Sequence, residues 1–527
     1  MKKYIRRVSR YIIVDILFDI LCTVFAAYIP VMHKELFDSL AQGTLSRIPA
    51  ITAVFIVLQG LSCACVYLCM LCTWKIAITF ETAMKKDLIS ALLHKEKQSF
   101  YAYSTNDYIS IQGNDITAIE QDYLTPWIDV FRSVNMFVIY AVVIVVYVDW
   151  RIALTIILSS LLVVIGPKIT GKIMSDKRMD YQNQMAAYIS CITDLLNGYK
   201  LVSRFTRNNL LKVHERTLHA TADKRYAYGR SKTLSLSIND AAIRIIQITS
   251  FICACALLIN GEISVGAGVA TFSYVSSFIS PLESILYDVS AIQSTDAVRK
   301  KFLHMISTGI RKDQPVPRKV ERGISLRNVD YHNGGFRIRI DSLDFERGKK
   351  YAIVGGNGCG KSTLLKLIMQ YLEPDSGTIS LDGIPICGLD TSACISYIDQ
   401  NEYIYHAGIH DNVTIFDSYP DARQQIRDVF WQKSADPEDV DCQKMSGGER
   451  QLIAFLRVAA QDTPIVLMDE PFAAMDVVNT KKVQDYLLES RDMADKTVII
   501  ITHDVSEETL AKYDAVVRAD AFRVCET

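Results

Sequence analysis

Apolar positions crowd into the first 300 residues, in runs close to the ~20 residues needed to cross ~30 Å of hydrocarbon. Six runs stand out: Tyr11 to Met32, Ala50 to Trp74, Ser133 to Val148, Ile152 to Ile173, Ala241 to Leu258 and Val265 to Ile285. Soluble cores rarely hold so many, so this half predicts six membrane-spanning helices. Two segments between the runs, 75–132 and 174–240, are mixed in charge and poor in Pro and Gly. They predict helices that continue ~25 residues beyond the bilayer, on the order of 35 to 40 Å. The second half alternates short apolar strands with helices and predicts an α/β domain. Between the halves the chain turns basic and polar around Pro315 and Pro317, which predicts a linker. The expected division is 1–292 for the membrane domain, 293–322 for the linker and 323–527 for the second domain.

Charge sets the orientation. Lys2, Lys3, Arg6, Arg7 and Arg10 precede the first run, whereas residues 33–49 carry only Lys34 and Arg47, and Asn260 to Ser264 carries no basic residue. By the bias of basic residues toward the cytoplasm, the N-terminus is expected inside. Residues 168–235 carry 13 Lys and Arg and belong inside too, as does the second domain after six crossings. Trp74, Trp127 and Trp150 fall near span ends, where interfacial anchors belong. The length of the first run leads us to expect an anchor rather than a cleaved signal peptide. Over the whole chain, 57 Lys and Arg against 58 Asp and Glu exclude the basic footprint of a nucleic-acid binder. At 50% apolar and 22% charged residues, disorder is excluded as well.

The 13 cysteines form no ligand cluster with His. Cys65, Cys69 and Cys72 share one face of the second run, where small packing residues are the expected reading and a soft-metal site the alternative.

The second domain carries the chemistry. Lys350 to Gly355 reads as a short strand opening into Gly355-Gly356-Asn357-Gly358-Cys359-Gly360-Lys361-Ser362-Thr363, followed by a helical Leu364-Leu365-Lys366-Leu367-Ile368. This is a G-x-x-x-x-G-K-S phosphate loop in its strand, loop and helix context. Its backbone N–H groups can converge on phosphate oxygens, Lys361 can reach the terminal phosphates, and the Ser362 hydroxyl can ligate Mg²⁺. About a hundred residues later, Pro464 to Met468 reads as a buried strand ending in Asp469-Glu470. A carboxylate pair at a strand tip is costly unless a cation or a proton-bearing nucleophile lies opposite. Asp469 is expected to bind Mg²⁺ and Glu470 to polarise an attacking water.

Between these motifs stands Met445-Ser446-Gly447-Gly448-Glu449-Arg450-Gln451, and here the chain resembles the ABC transporter family. The stretch is similar to the family signature, with Met for the usual Leu and Glu for the usual Gln. Gln400 resembles the family's Q-loop, Ala473-Ala474-Met475-Asp476 its D-loop and His503 its switch histidine. In the first half, Ser104-Thr105-Asn106-Asp107 and Leu196-Asn197-Gly198-Tyr199 resemble the intracellular loops of exporter-type half-transporters. The resemblance implies a membrane all-α six-helix domain followed by an α/β P-loop ATPase domain, the exporter-type fold. It implies coupling helices near Asp107 to Asn114 and Gly198 to Phe205. It also implies ATP and Mg²⁺ as cofactors, with ATP held by residues 355–363, Gln400, Asp469 and the signature residues Ser446, Gly447, Gly448 and Glu449. Ser362, Gln400 and Asp469 would hold the metal; Lys361, Glu470 and His503 would be catalytic.

Some positions depart from the family pattern. Asn333 stands where an adenine-stacking Tyr is usual, and Tyr331 is assigned that role instead. Residues between Gln400 and Ser446 are few, and Asp441-Cys442-Gln443-Lys444 lacks the Gly-Glu pair common before the signature. The expected function is ATP-driven transport, in the direction of export, by a dimer of half-transporters in the cell membrane, as a homodimer or a heterodimer, in contact with lipid and with no nucleic acid. Siderophore-type import and an ATP-gated channel or sensor are the alternatives. Asp15, Asp19, Asn239, Asp240, Arg244 and Gln247 lie near the start of their spans. They are read as substrate contacts or as structural pairs.

Overall fold

A computed structural model of the chain describes every residue except 310–318, 335, 401, 420–440, 473–474, 476, 520–521 and 525–527, and leaves out the side chains of 161–171, 239, 276, 279, 283 and 286. The D-loop segment therefore falls largely outside the described residues, as does the side chain of Asn239. The chain divides into two units.

The first unit, Met1–Ile89 with Asn106–Ile306, is helical. Its long helices are α1 (Lys2–Ala41), α2 (Ile48–Leu93), α3 (Thr125–Tyr147), α4 (Trp150–Asn197), α5 (Arg207–Ile259) and α6 (Val265–Ser294). Among the described residues five helical segments are long and apolar enough to cross a membrane: Lys2–Ala41, Leu45–Leu93, Thr105–Tyr147, Arg207–Ile259 and Val265–Ser307. The expected fourth span begins on the apolar start of α4, Trp150–Ser160, and then enters residues whose side chains are not described. The 48 residues of α4 and 53 of α5 run unbroken from apolar into charged sequence. At 1.5 Å per residue each is about 70 to 80 Å long, more than twice the ~30 Å of a bilayer core, so the helices do continue beyond it as expected.

Two kinds of contact hold this unit. Where α1, α3, α4, α5 and α6 meet, Ala27, Tyr140, Ile144, Ile156, Ile246, Tyr274 and Phe278 are buried together. Tyr274 donates its hydroxyl to the Ala27 carbonyl at 2.7 Å. At the end of α1, Asp38 accepts from the Gly266 N–H (2.9 Å) and the Ser264 hydroxyl (2.8 Å), capping the first turn of α6. Position 266 must be Gly there, since a Cβ would lie 2.2 Å from the Lys34 carbonyl oxygen. The outer faces are the reverse: the apolar window of α2 is only 6% buried, with Ile56, Val57 and Met70 exposed. That surface suits lipid, where no apolar side chain needs a protein partner.

The expected linker is partly structured. Asp296–Ser307 forms a helix, and the first unit runs to Ile306. Phe302 and Met305, three residues apart among basic neighbours, place one apolar stripe on it, and both are buried. The overall basic composition had masked that stripe.

The second unit, Ser90–Thr105 with Ser307–Thr527, holds two sheets. The antiparallel sheet runs β10-β2-β1-β4-β5, with β1 Gly323–Asn333, β2 Phe336–Glu346, β4 Ser376–Leu381, β5 Ile384–Pro385 and β10 Arg523–Val524. The parallel sheet runs β6-β7-β8-β3-β9, with β3 Lys350–Val354, β6 Ile395–Ile398, β7 Ile465–Asp469, β8 Thr497–Ile501 and β9 Ala515–Arg518. Strands β3, β7 and β8 are buried at every position, which explains why they read as continuous apolar runs rather than alternating ones.

One expectation about the loops is corrected. Residues 107–114 belong to the helical unit, where Tyr108 and Ile111 are buried. The segment grouped with the second unit is Ser90–Thr105, with a short helix at Lys97–Tyr101. Its Lys97 ammonium donates to the Met369 carbonyl at 3.0 Å and lies 4.7 Å from the Tyr371 ring centre. Tyr101 meets the same ring edge-on at 5.5 Å. A cation and two aromatics make a firmer anchor than the polar turn at Ser104 to Asp107, which serves as the start of the next helix, Thr105–Ser110.

Candidate active site

Register brings the motifs to one edge. Ile353 of β3 pairs with Ile501 of β8, which pairs in turn with Asp469 of β7. The three strands thus end level, and the phosphate loop, Asp469-Glu470 and His503 leave the same carboxyl edge of a parallel sheet, where such sheets bind ligands.

From β3 the chain turns through the glycine loop into α7 (Lys361–Ile368). Gly360 has φ +96°, and a Cβ there would meet Ile338 Cδ1 at 2.6 Å. Only glycine tolerates both the left-handed backbone and the approach of β2. Lys361 is buried, and its ammonium is held by the carbonyls of Gly355 (2.8 Å) and Gly356 (2.9 Å) inside the loop.

Glu470 is the hub. It sits at φ +49°, a left-handed backbone that costs a non-glycine residue on the order of 1 kcal/mol and clusters at functional sites. One carboxylate oxygen is 2.6 Å from His503 Nε2, and the other accepts from Gln400 Nε2 at 3.0 Å. Three residues from distant motifs are therefore joined through one carboxylate.

Asp469 is 2% exposed and its Oδ1 has no hydrogen-bond partner. Burial pushes its carboxyl above the usual range; the Ser362 hydroxyl opposes this by bonding to it, and the Glu470 charge adds to the rise. A carboxyl raised above its unfolded value, near 3.9, costs stability once the pH exceeds that value, and the cost is complete above the folded value. Asp469→Asn is therefore expected to raise the melting temperature of the nucleotide-free protein at pH 7.5, by about 2 to 4 °C per kcal/mol regained. If a divalent cation is held there beside a nucleotide, the substitution should also remove the stabilisation that the cation adds. Differential scanning fluorimetry reads both, and a lowered melting temperature without nucleotide would argue against a strained Asp469.

The signature lies at the start of α8 (Gly447–Gln461). Ser446 caps it: its hydroxyl accepts from the Glu449 N–H at 3.4 Å and donates to the Glu449 carboxylate at 2.9 Å, which also takes the Ser446 N–H at 3.0 Å. The unusual Glu is thus explained as the second half of a capping box. Ser446 and Gly447 are exposed, and the Ser446 bonds run to its own helix, not to the phosphate loop.

Two features escaped the sequence. Arg457, deep in α8, donates to the carbonyls of Asn412 (2.9 Å) and Tyr403 (3.0 Å) and faces Glu402 at 3.5 Å. It ties the signature helix to the chain just beyond Gln400, and burial pushes Glu402 up and Arg457 down. Secondly, Phe336 lies against the phosphate loop, its Cζ 3.3 Å from where a Gly360 Cβ would be, and like Tyr331 it also packs against the domain core. The hairpin between β1 and β2 hides this from linear spacing.

Residues 12–282 match the family described as ABC transporter transmembrane region, and residues 338–473 match the ABC transporter family. The chain belongs to the ABC transporter family. An ATP-dependent lipid A-core flippase of Mannheimia succiniciproducens is 21% identical over 92% of this chain and 85% of its own length. The mesentericin-Y105 transport/processing ATP-binding protein of Leuconostoc mesenteroides is 24% identical over 77% of this chain and 58% of its own. A solved bacterial Atm1-family ABC exporter with ATP bound superimposes with a TM-score of 0.80 at 18% identity, covering 97% of this chain and 94% of that one. This ABC transporter therefore has the exporter fold, a membrane domain followed by an ATP-binding domain, as the resemblance implied.

Proposed function

We propose that two copies of this half-transporter enclose ATP and use its hydrolysis to export a substrate from the cytoplasm. The carrying observation is the Glu470 carboxylate held between Gln400 and His503 at the carboxyl edge that also bears Lys361. So placed, Glu470 can accept a proton from an attacking water while His503 and Gln400 fix its orientation. Lys361 and the loop N–H groups would hold the phosphates at the start of α7. The orphaned Oδ1 of Asp469, with the Ser362 hydroxyl beside it, fits a Mg²⁺ site, and Gln400, bonded to the adjacent Glu470, would complete it; the ion would neutralise charge on the phosphates. Phe336, beside the phosphate loop, joins Tyr331 as a candidate aromatic to lie beside the base.

Dimerisation is supported by exposed groups. Ser446 and Gly447 offer a helix N-terminus to solvent. The turn after α4 exposes Tyr199 (72%), Leu201 (75%) and Phe205 (89%), large apolar residues that water would not favour and a second copy would cover.

Transport itself is tested in sealed inside-out membrane vesicles. With ATP, mass spectrometry of the lumen is expected to find a compound enriched with the wild-type protein and not with Glu470→Gln. Unchanged contents would sink the transport reading, and ATP-dependent depletion would reverse its direction.

A further inference from the structure

A cavity of ≈ 390 Å³ opens within the helical unit, lined by Asp129, Arg132 and Ser133 of α3 and by Ser284, Tyr287 and Asp288 of α6. Its size falls in the range of sites for small molecules. We propose that this cavity binds an organic cation through Asp288 and Asp129, so that the transported substrate carries an ammonium or guanidinium group. The inference rests on the transport reading and names its substrate class.

Charge bookkeeping around the cavity leads there. Arg132 contributes one positive charge, and its guanidinium is already committed: Nη2 donates to Asp15 Oδ1 (2.6 Å) and Thr73 Oγ1 (2.7 Å), and Nη1 to Asp129 Oδ1 (3.0 Å). Asp19 accepts from a neutral donor, Asn135 Nδ2, at 3.0 Å. Asp15, read from the sequence as a substrate contact or a structural pair, is thus paired with Arg132. Arg244 likewise pairs with Asp240 on the exposed face of α5, at 2.9 Å. Asp288 is different. It is 6% exposed, it lines the cavity, and its Oδ2 has no hydrogen-bond partner. It follows the apolar run Val265 to Ile285 by less than one turn, so it lies at the end of a span, where an unpaired carboxylate is costly and marks a functional position.

A bare metal ion fits poorly, because no three His, Cys, Asp or Glu side chains converge to hold one among the described residues. An organic cation needs fewer oxygens. It can take one carboxylate from each wall, the hydroxyls of Ser133 and Ser284 as further acceptors, and the ring of Tyr287 at the rim as a cation–π surface. A neutral or anionic ligand would leave Asp288 unpaired or repelled.

The test uses the full-length protein in lipid nanodiscs and four labelled probes: phenethylammonium, agmatine, and the neutral and anionic relatives 2-phenylethanol and phenylacetate. Equilibrium dialysis is expected to show saturable binding of at least one of the two cations and of neither uncharged nor anionic probe. Asp288→Asn should weaken that binding at least tenfold, Asp129→Asn should weaken it less, and Asp288→Glu should restore part of it. Gel filtration confirms that each variant is intact, and Asp129→Asn keeps the test alive should Asp288→Asn misfold. Equal binding of all four probes, no binding of either cation, or undiminished binding by both Asn variants would overturn the proposal. Cation binding without ATP-dependent movement in vesicles would overturn the transport reading alone. ATP-dependent movement of a compound with no positive charge, with neither cation bound, would overturn the cation site alone.

Discussion

Glu470→Gln is expected to bind ATP within about threefold of wild type yet turn over at least 10²-fold more slowly. The substitution keeps the side chain's size and its place at a left-handed backbone, but an amide cannot take a proton from water. It also turns the 2.6 Å contact with His503 from a carboxylate partner into a neutral one. Nothing in the geometry gives Glu470 a hold on the phosphates, so affinity should survive. Lys361→Ala should do the opposite. Its ammonium lies within the glycine loop against the Gly355 and Gly356 carbonyls, and removing it takes away the positive charge that the phosphates would meet. Equal loss of ATP affinity in both variants, measured by a fluorescent nucleotide in parallel with phosphate release, would contradict the separation of roles.

Much of this site was legible because its motifs are local. A glycine loop between an apolar strand and a helix, or two acids after a buried strand, can be read without knowing what lies beside them. Spacing cannot show that β8 comes between β3 and β7, and that order is what sets His503 against Glu470. Phe336 was missed for a similar reason: the hairpin between β1 and β2 folds it back onto Gly360. In the helical unit, apolar length made the spans readable, but pairings within them were not. Arg132 and Asp15 are 117 residues apart, and no periodicity links them. The docking segment of the first loop was displaced from Asp107 to Lys97 because its anchor is one lysine and one tyrosine meeting Tyr371, which is separated from them in sequence by the helical segment Asn106–Ile306.

The central claim is that each ATP is enclosed by the phosphate loop of one copy and the Ser446 helix of another. Ser446 and Gly447 are exposed at a helix N-terminus, whose N–H groups and positive dipole end suit a γ-phosphate. Mixed dimers test this most directly. Homodimers of Lys361→Ala and of Ser446→Arg are each expected to lose hydrolysis, because every site then carries a lesion. Arg is too large for the approach, and it also removes the Ser446 hydroxyl from the capping box. In a dimer with one chain of each kind, purified by two different tags, one composite site carries both lesions and the other carries none. We expect that mixed dimer to recover hydrolysis well above either parent and up to half of the wild-type rate. No recovery above the parent homodimers, together with full hydrolysis by single chains isolated in nanodiscs at a rate independent of protein concentration, would contradict the shared site.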